Sequence, residues 1–288
     1  MMKKILAIIA LILIHFSAHA EIKMIVPFAV GGAFDTVARH FALYIENKTG
    51  EQVTVQNVTG AGSQIGTTRL LNSTGRTVLV NSSSFYVNIV AGTFTSNEFK
   101  IASILADAPM FLAVPTSKNL TCEKLRTDPR PFFIGSSGKN SITSIPANFV
   151  IEKYKNYTEV PYKGIGEAII DLLGERLDII FLSTRLDKEN PRLQVLANSS
   201  LSRYDGLISI KECLGINKGS TSHWVVAANK DANDDFVRYI NKLGQEYNAD
   251  ENTKAFFKLK DILPMAGNLA TTKKQYDEEL KSWYNILK

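Results

Sequence analysis

Histidine and cysteine are both scarce here, with four His and two Cys in 288 residues. Two of the histidines, His15 and His19, fall in an N-terminal segment set apart below, which leaves His40 and His223 far apart in the chain. A zinc site needs several His, Cys or carboxylate ligands at short spacing, and a Ser-His-Asp centre needs a His beside its nucleophile. Neither pattern is present, so the sequence implies no metal, no cofactor and no catalytic residue. Gly135-Ser136-Ser137-Gly138 lacks the spacing of a nucleophile elbow, and Gly138-Lys139-Asn140 lacks the Ser or Thr and the glycine spacing of a nucleotide-phosphate loop. Asp171, Glu175 and Asp178 sit on a helix, a turn and a strand in close succession, where solvated or capping roles are expected of them.

A strong charge of one sign is missing too. Lys and Arg number 33 against 28 Asp and Glu, for a formal charge of +5, and the basic residues are scattered among acids without interleaved aromatics. Nucleic acid is therefore excluded as a partner. Long apolar runs are absent after the first 20 residues, so no later segment is expected to cross a membrane.

Those first residues have their own pattern. Lys3 and Lys4 supply a positive start, residues 5–14 are unbroken apolar, and Ala18-His19-Ala20 places small residues where a signal peptidase reads. The run is short for a membrane span, and the strand-like Ile22-Lys23-Met24-Ile25-Val26 follows it directly. Cleavage after Ala20 is expected, giving a secreted chain that begins near Glu21. In an oxidising compartment Cys122 and Cys213 either form one disulfide or remain two isolated buried thiols, and their long separation in sequence gives no geometric test.

Short β-branched runs alternate with helical patterns from residue 22 to the C-terminus, the mark of an α/β protein. A strand over 22–28 precedes a helix over 35–48 with Phe34, Val37, Ala38, Phe41, Ala42 and Ile45 on one face and Gly50 at its end. His40 falls on the outer face of that helix. Residues 121–131 are polar and carry Pro129 and Pro131, which suggests a lobe boundary. At the C-terminus a helix over 272–287 has Thr272 and Gln275 as a capping box and Tyr276, Leu280, Trp283 and Leu287 as an apolar stripe.

Function concentrates at strand ends. Phe28-Ala29-Val30-Gly31-Gly32-Ala33-Phe34-Asp35 joins a strand to a helix through paired glycines, a junction that aims free N–H groups and a helix dipole at whatever lies above. Gly60-Ala61-Gly62-Ser63 follows a second strand, Asn81-Ser82-Ser83-Ser84 a third, and Gly135-Ser136-Ser137-Gly138 a fourth. Each alone is an ordinary turn. Their recurrence at successive strand ends is what an open α/β sheet presents at its ligand crevice.

Taken in order, a set of short motifs resembles the tripartite tricarboxylate transporter substrate-binding proteins, the Bug family of periplasmic receptors. The set is Ile25-Val26-Pro27-Phe28, Gly31-Gly32 with Asp35, Ala38-Arg39, Asn57 with Gly60-Ala61-Gly62 and Gly66, Gly135-Ser136-Ser137-Gly138, Val160-Pro161-Tyr162-Lys163-Gly164, Asp171-Leu172-Leu173-Gly174 with Leu177-Asp178, and Trp283. The resemblance covers essentially all of the chain after residue 20. It implies a two-lobed, type II-like periplasmic binding fold, each lobe a mixed sheet flanked by helices with a cleft between them. The first lobe would take residues 21–107 and a return segment 226–288, and the second 108–225, with hinges near 107–114 and 223–228.

The resemblance also implies a monomer that captures a small organic carboxylate and delivers it to an inner-membrane permease. Some members of the family present their ligand to a sensor kinase instead, and an exported enzyme on the same fold is a third possibility. The family's ligand loops fall on Phe28, Gly31, Gly32, Phe34 and Asp35 and on Gly60, Ala61, Gly62 and Ser63, with Ser82 and Ser83 at the third strand end. The facing lobe supplies Ser136, Ser137, Tyr162, Lys163, Gly164 and Asp178. The carboxylate is expected on main-chain amides and water, with no Arg clamp. Two departures stand out: Ser144-Ile145-Pro146-Ala147-Asn148 carries no His after the fourth loop, and residues 187–210 are rich in Asn and Ser where glycine is usual.

Overall fold

The computed structural model describes residues 21–265 and 267–287, so the expected leader and its cleavage point lie outside the described residues. Strand β1 (Ile22–Val26) pairs in parallel with β2 (Val53–Asn57) on one side and β3 (Thr77–Asn81) on the other. Parallel neighbours need a crossover, and helix α1 (Ala33–Thr49) supplies the first. Its predicted stripe from Phe34 to Ile45 is buried on the sheet, and Gly50, at φ 74°, turns the chain out of the helix. His40 is not on an outer face: its ring stacks on Phe256 at 4.0 Å and its Nδ1 meets the Tyr247 hydroxyl at 2.9 Å.

Helices α2 (Gln64–Leu71) and α3 (Ser84–Val90) follow the next two strands. The serines that open α3 make its start look like a loop, but all seven of its residues are buried. Strand β4 (Phe99–Pro109) then passes through the single residue Met110 into β5 (Phe111–Pro115), which belongs to a second sheet.

That sheet adds β6 (Phe132–Ser136), β7 (Tyr157–Pro161), β8 (Ile179–Leu182) and β9 (Leu193–Asn198) in the order β7-β6-β8-β5-β9. Its helices are α4 (Cys122–Thr127), α5 (Ser144–Lys153), α6 (Ile165–Leu173) and α7 (Ile210–Leu214). The polar stretch expected to mark a boundary therefore lies within this lobe. Thr121 caps α4 by accepting the Lys124 N–H, and a Cys122–Cys213 disulfide ties α4 to α7 across Cα atoms 5.0 Å apart.

Strand β10 (Thr221–Asn229) returns to the first sheet, antiparallel to β4 over its whole length and to β3 in part. The expected boundary at 225/226 and the expected hinge at 223–228 both fall inside this strand. Thr221, Ser222 and His223 are polar, so only the apolar middle of the strand is legible in the sequence, yet they pair with Pro109, Ala108 and Asp107. The crossing back lies between the end of α7 at Leu214 and the start of β10 at Thr221.

The chain closes with α8 (Asp234–Ala249), α9 (Glu251–Leu259), β11 (Leu263–Pro264) and α10 (Leu269–Leu287). The first sheet runs β11-β4-β10-β3-β1-β2. The expected capping box is displaced: α10 begins at Leu269, Asn268 accepts the Thr271 N–H at 2.9 Å, and Thr272 is buried one turn in. Two mixed sheets, each flanked by helices, give the two-lobed α/β fold expected from the sequence.

Candidate functional site

Between the lobes lies a cavity of about 310 Å³, walled by strand ends and helix starts from both. From the first lobe come Phe28, Gly31, Gly32, Phe34, Gly60, Gly62 and Ser63, and from the second Ser137, Lys163 and Gly164, all expected from the sequence. The two sides approach closely. A Cβ on Gly62, which has φ 59°, would stand 2.5 Å from the Lys139 carbonyl oxygen, and the Ile142 N–H donates to Ser84 Oγ at 2.8 Å.

Four helices begin on this cavity. The N-cap residues are Gly32 for α1, Ser63 for α2, Thr143 for α5 and Gly164 for α6, and none of them makes a side-chain cap hydrogen bond. Away from the cavity the rule is reversed. Thr121, Ser209, Asn233 and Asp250 each accept an N–H from the helix they open. Ser83, the N-cap of α3, is the exception, because its Oγ accepts the His223 N–H at 2.9 Å. A helix N-terminus carries about half a positive charge on N–H groups that lack intrahelical partners. At α5 Ser141 accepts the Ser144 and Ile145 N–H groups and Pro146 has none, so the starts of α1, α2 and α6, from both sides of one void, are what suits an anion.

The loop from Phe28 to Asp35 owes its shape to buried hydrogen bonds. Asp35 is buried and does not line the cavity. Its Oδ2 accepts the Gly31 N–H at 2.8 Å and Arg39 Nε at 2.9 Å, and its Oδ1 accepts Asn57 Nδ2 at 2.8 Å. Burial alone would raise its pKa, but Arg39, Gly31 and Asn57 together hold it below the ordinary carboxylate value. Asn57 also donates to the Phe28 carbonyl at 2.9 Å, so β2 fixes the loop that follows β1. Phe28 stacks on Phe34 at 4.5 Å, and Phe34 on Trp224 at 4.7 Å, forming one wall.

Other expected residues stand behind the wall or beyond it. Ser82 and Ser83 are buried in the β3–α3 turn, where Ser82 Oγ donates to Ser84 Oγ at 2.9 Å. Ser136 Oγ accepts the Gly138 N–H at 3.2 Å and shapes the fourth loop. Ala61 opens a short helical turn at φ 47°. The Tyr162 hydroxyl donates to Asp171 at 2.7 Å, and burial together with that bond pushes its pKa up to about 12. Asp178 is buried and accepts from Lys118 Nζ at 2.8 Å, Arg130 at 3.1 Å and the Phe133 N–H at 2.9 Å. None of these lines the cavity.

The cavity also uses residues that sequence inspection passes over. Ser141, Ile142 and Thr143 continue the fourth loop, and Ser183 and Thr184 follow β8 as one more polar strand end, a signal that was present. Glu189 and Lys260 left none. They meet at 2.7 Å across the lobes, and beside them Lys188 donates to Asp261 at 2.8 Å. The wall holds no Arg or His, and no group of three or more potential metal ligands occurs among the described residues.

Residues 37–288 match the model of the tripartite tricarboxylate transporter family receptor. BugT of Bordetella pertussis (strain Tohama I) is 26% identical over 294 residues, covering 93% of this chain and 88% of that one. Two solved structures share the fold. R. palustris Rpa4515 with adipate superposes with a TM-score of 0.83 at 20% identity, covering 93% of this chain and 96% of that one. MatC (Rpa3494) from Rhodopseudomonas palustris with bound malate gives 0.80 at 17%, covering 93% and 99%. With its uncapped helix starts facing one interlobe cavity, this chain belongs to the tripartite tricarboxylate transporter receptor family.

Proposed function

We propose that this receptor closes its two lobes around a small organic carboxylate in the periplasm and passes it, chemically unchanged, to the membrane permease of a tripartite transporter. One observation carries the proposal: helix N-termini from both lobes, α1 and α2 of the first and α6 of the second, face a single cavity without side-chain caps. A carboxylate seated there accepts N–H groups from both sides and so favours the closed arrangement over the open one. Adipate and malate in the related structures are acids of the same chemical kind.

Gly32, Ser63 and Gly164 form the anion cradle, with Gly31, Gly60 and Gly62 allowing close approach and Ser137 and Thr143 beside it. Phe28 and Phe34 form a wall, and Lys163 adds positive charge at the mouth. Ser82, Ser83, Ser136, Ala61, Asp35, Tyr162 and Asp178 hold the loops in place. Residues 1–20 direct export and are removed after Ala20, which leaves β1 and its ligand loop directly behind the new terminus.

A thermal-shift screen pairing each carboxylate with its neutral amide tests this. Acids should raise the melting temperature and their amides should not. Stabilisation by a neutral sugar or a metal cation, with none by any acid, would overturn it.

A further inference from the structure

The carboxylate cradle occupies only part of the cavity, and the rest is strongly apolar. Ile169, Leu186 and Phe256 present half-buried side chains to it, backed by the buried Val37, Phe181 and Ile262. Several of the polar groups that remain are engaged with one another. Thr143 Oγ1 contacts the Ser137 N–H at 2.8 Å, Ser137 Oγ at 2.9 Å and Ser141 Oγ at 3.0 Å. The Gly31 N–H is held by Asp35 and Lys260 by Glu189. Lys163 is exposed at the mouth, where water solvates its ammonium.

A ligand with three carboxylates would have to leave at least one of them against Phe and Ile side chains without a partner, and burying an unpaired charge is prohibitive. A hydrocarbon body meets no such penalty and gains from each methylene that leaves water.

Resting on the carboxylate function proposed above, we infer that the ligand is a monocarboxylate with an apolar body, of roughly six to eight carbons for a cavity of this size. The acid group sits on the helix N-termini and the hydrocarbon lies along Ile169, Leu186 and Phe256. Short, densely charged acids such as malate and citrate, which have no hydrocarbon body to lay on that wall, are poorer ligands than a monocarboxylate of this length.

Isothermal titration of the mature chain with acetate, butyrate, hexanoate, octanoate, malate and citrate tests this. Affinity should rise about fourfold per methylene up to the length that fills the chamber, and hexanoate should exceed malate and citrate at least tenfold. Ile169→Ser, at a half-buried position on α6, should flatten the chain-length series, lowering hexanoate and octanoate binding more than acetate binding. Malate or citrate binding more tightly than hexanoate overturns the apolar-body inference while the carboxylate function stands. Hexanamide binding as well as hexanoate overturns the carboxylate function itself, and so does failure of every acid to bind.

Discussion

Ser199 and Met110 clasp each other beside the interlobe crossings: the Ser199 N–H donates to the Met110 carbonyl at 2.7 Å, and the Met110 N–H donates to Ser199 Oγ at 2.9 Å. The same Oγ donates to the Ser220 carbonyl at 2.6 Å, and the Ser220 N–H returns to the Ser199 carbonyl at 2.9 Å. One serine thus joins the outgoing strand to the returning segment. The knot sits where the chain leaves the first lobe, because Met110 is the only residue between β4 and β5.

Ser199→Ala removes the Oγ and leaves the buried Met110 N–H without its acceptor. A loss of about 1–3 kcal/mol is expected, the usual penalty for an orphaned buried donor. Urea unfolding monitored by Trp fluorescence measures it. A change under half a kcal/mol would show that water or a shifted chain replaces the bond.

Asp35 organises the loop that carries Gly31 and Gly32, so Asp35→Ala should weaken carboxylate binding about tenfold or more without touching ligand. The pH dependence follows from the depressed pKa. A carboxylate held low in the fold contributes stability that is present above its unfolded value, near 3.8, and disappears as pH falls through the lower folded value. Asp35→Asn should therefore be less stable than the parent at pH 7, with the gap closing only below about pH 4. Thermal melts from pH 3 to pH 7 check this, and a gap that stays constant throughout would contradict it.

The ion pairs Lys260–Glu189 and Lys188–Asp261 span the cleft. Exposed pairs contribute only about 0–1 kcal/mol each, but reversing a charge adds repulsion between lobes that are free to separate. The double variant Lys188→Glu, Lys260→Glu should open the ligand-free molecule, giving a larger radius of gyration in small-angle scattering at low salt. Salt near 0.5 M should erase most of the difference by screening. An unchanged radius at low salt would mean that uncharged contacts, among them those of Gly62 and Ile142 and the Tyr204 hydroxyl on the Asp261 carbonyl, hold the lobes together.

Much of this was legible before the structure. The Phe34 to Ile45 stripe and the Gly50 stop marked α1 because its burial follows a 3.6-residue period. Glycine-rich strand ends marked part of the interlobe cavity wall because few residue types allow such close approach. The Glu189–Lys260 contact was not legible, since it joins residues from different lobes with no local pattern. Nor could Asp178 be told from a ligand residue: a buried aspartate on Lys118 and Arg130 and a solvent-facing one look alike in sequence. The Cys122–Cys213 pairing likewise depends on how α4 packs against α7.

Next to the hinge, a second acidic group sets the response to pH. His223 Nε2 stands 3.5 Å from Asp107 and 3.9 Å from Glu279, and Tyr86 faces its Nδ1 at 3.5 Å. Burial raises Asp107 to about 6 and Glu279 to about 7, and it lowers His223 to about 4. The two raised carboxyls contribute stability that is complete below their unfolded values and is lost as pH rises through 6 and 7. The depressed histidine acts oppositely, since its unfolded form binds a proton between about pH 4 and 6.5 that the folded form refuses. Two protons outweigh one, so stability should fall from pH 5 to pH 7.5 with a slope on the order of 1 kcal/mol per pH unit. Glu279→Gln, which keeps the neutral form's shape and can still accept from Trp283 Nε1, should remove the part of that fall centred near pH 7. Denaturant titrations of parent and variant at half-unit pH steps measure both slopes. A parent whose stability rises across this window would show that Asp107 and Glu279 are already ionised in the fold while His223 stays neutral there.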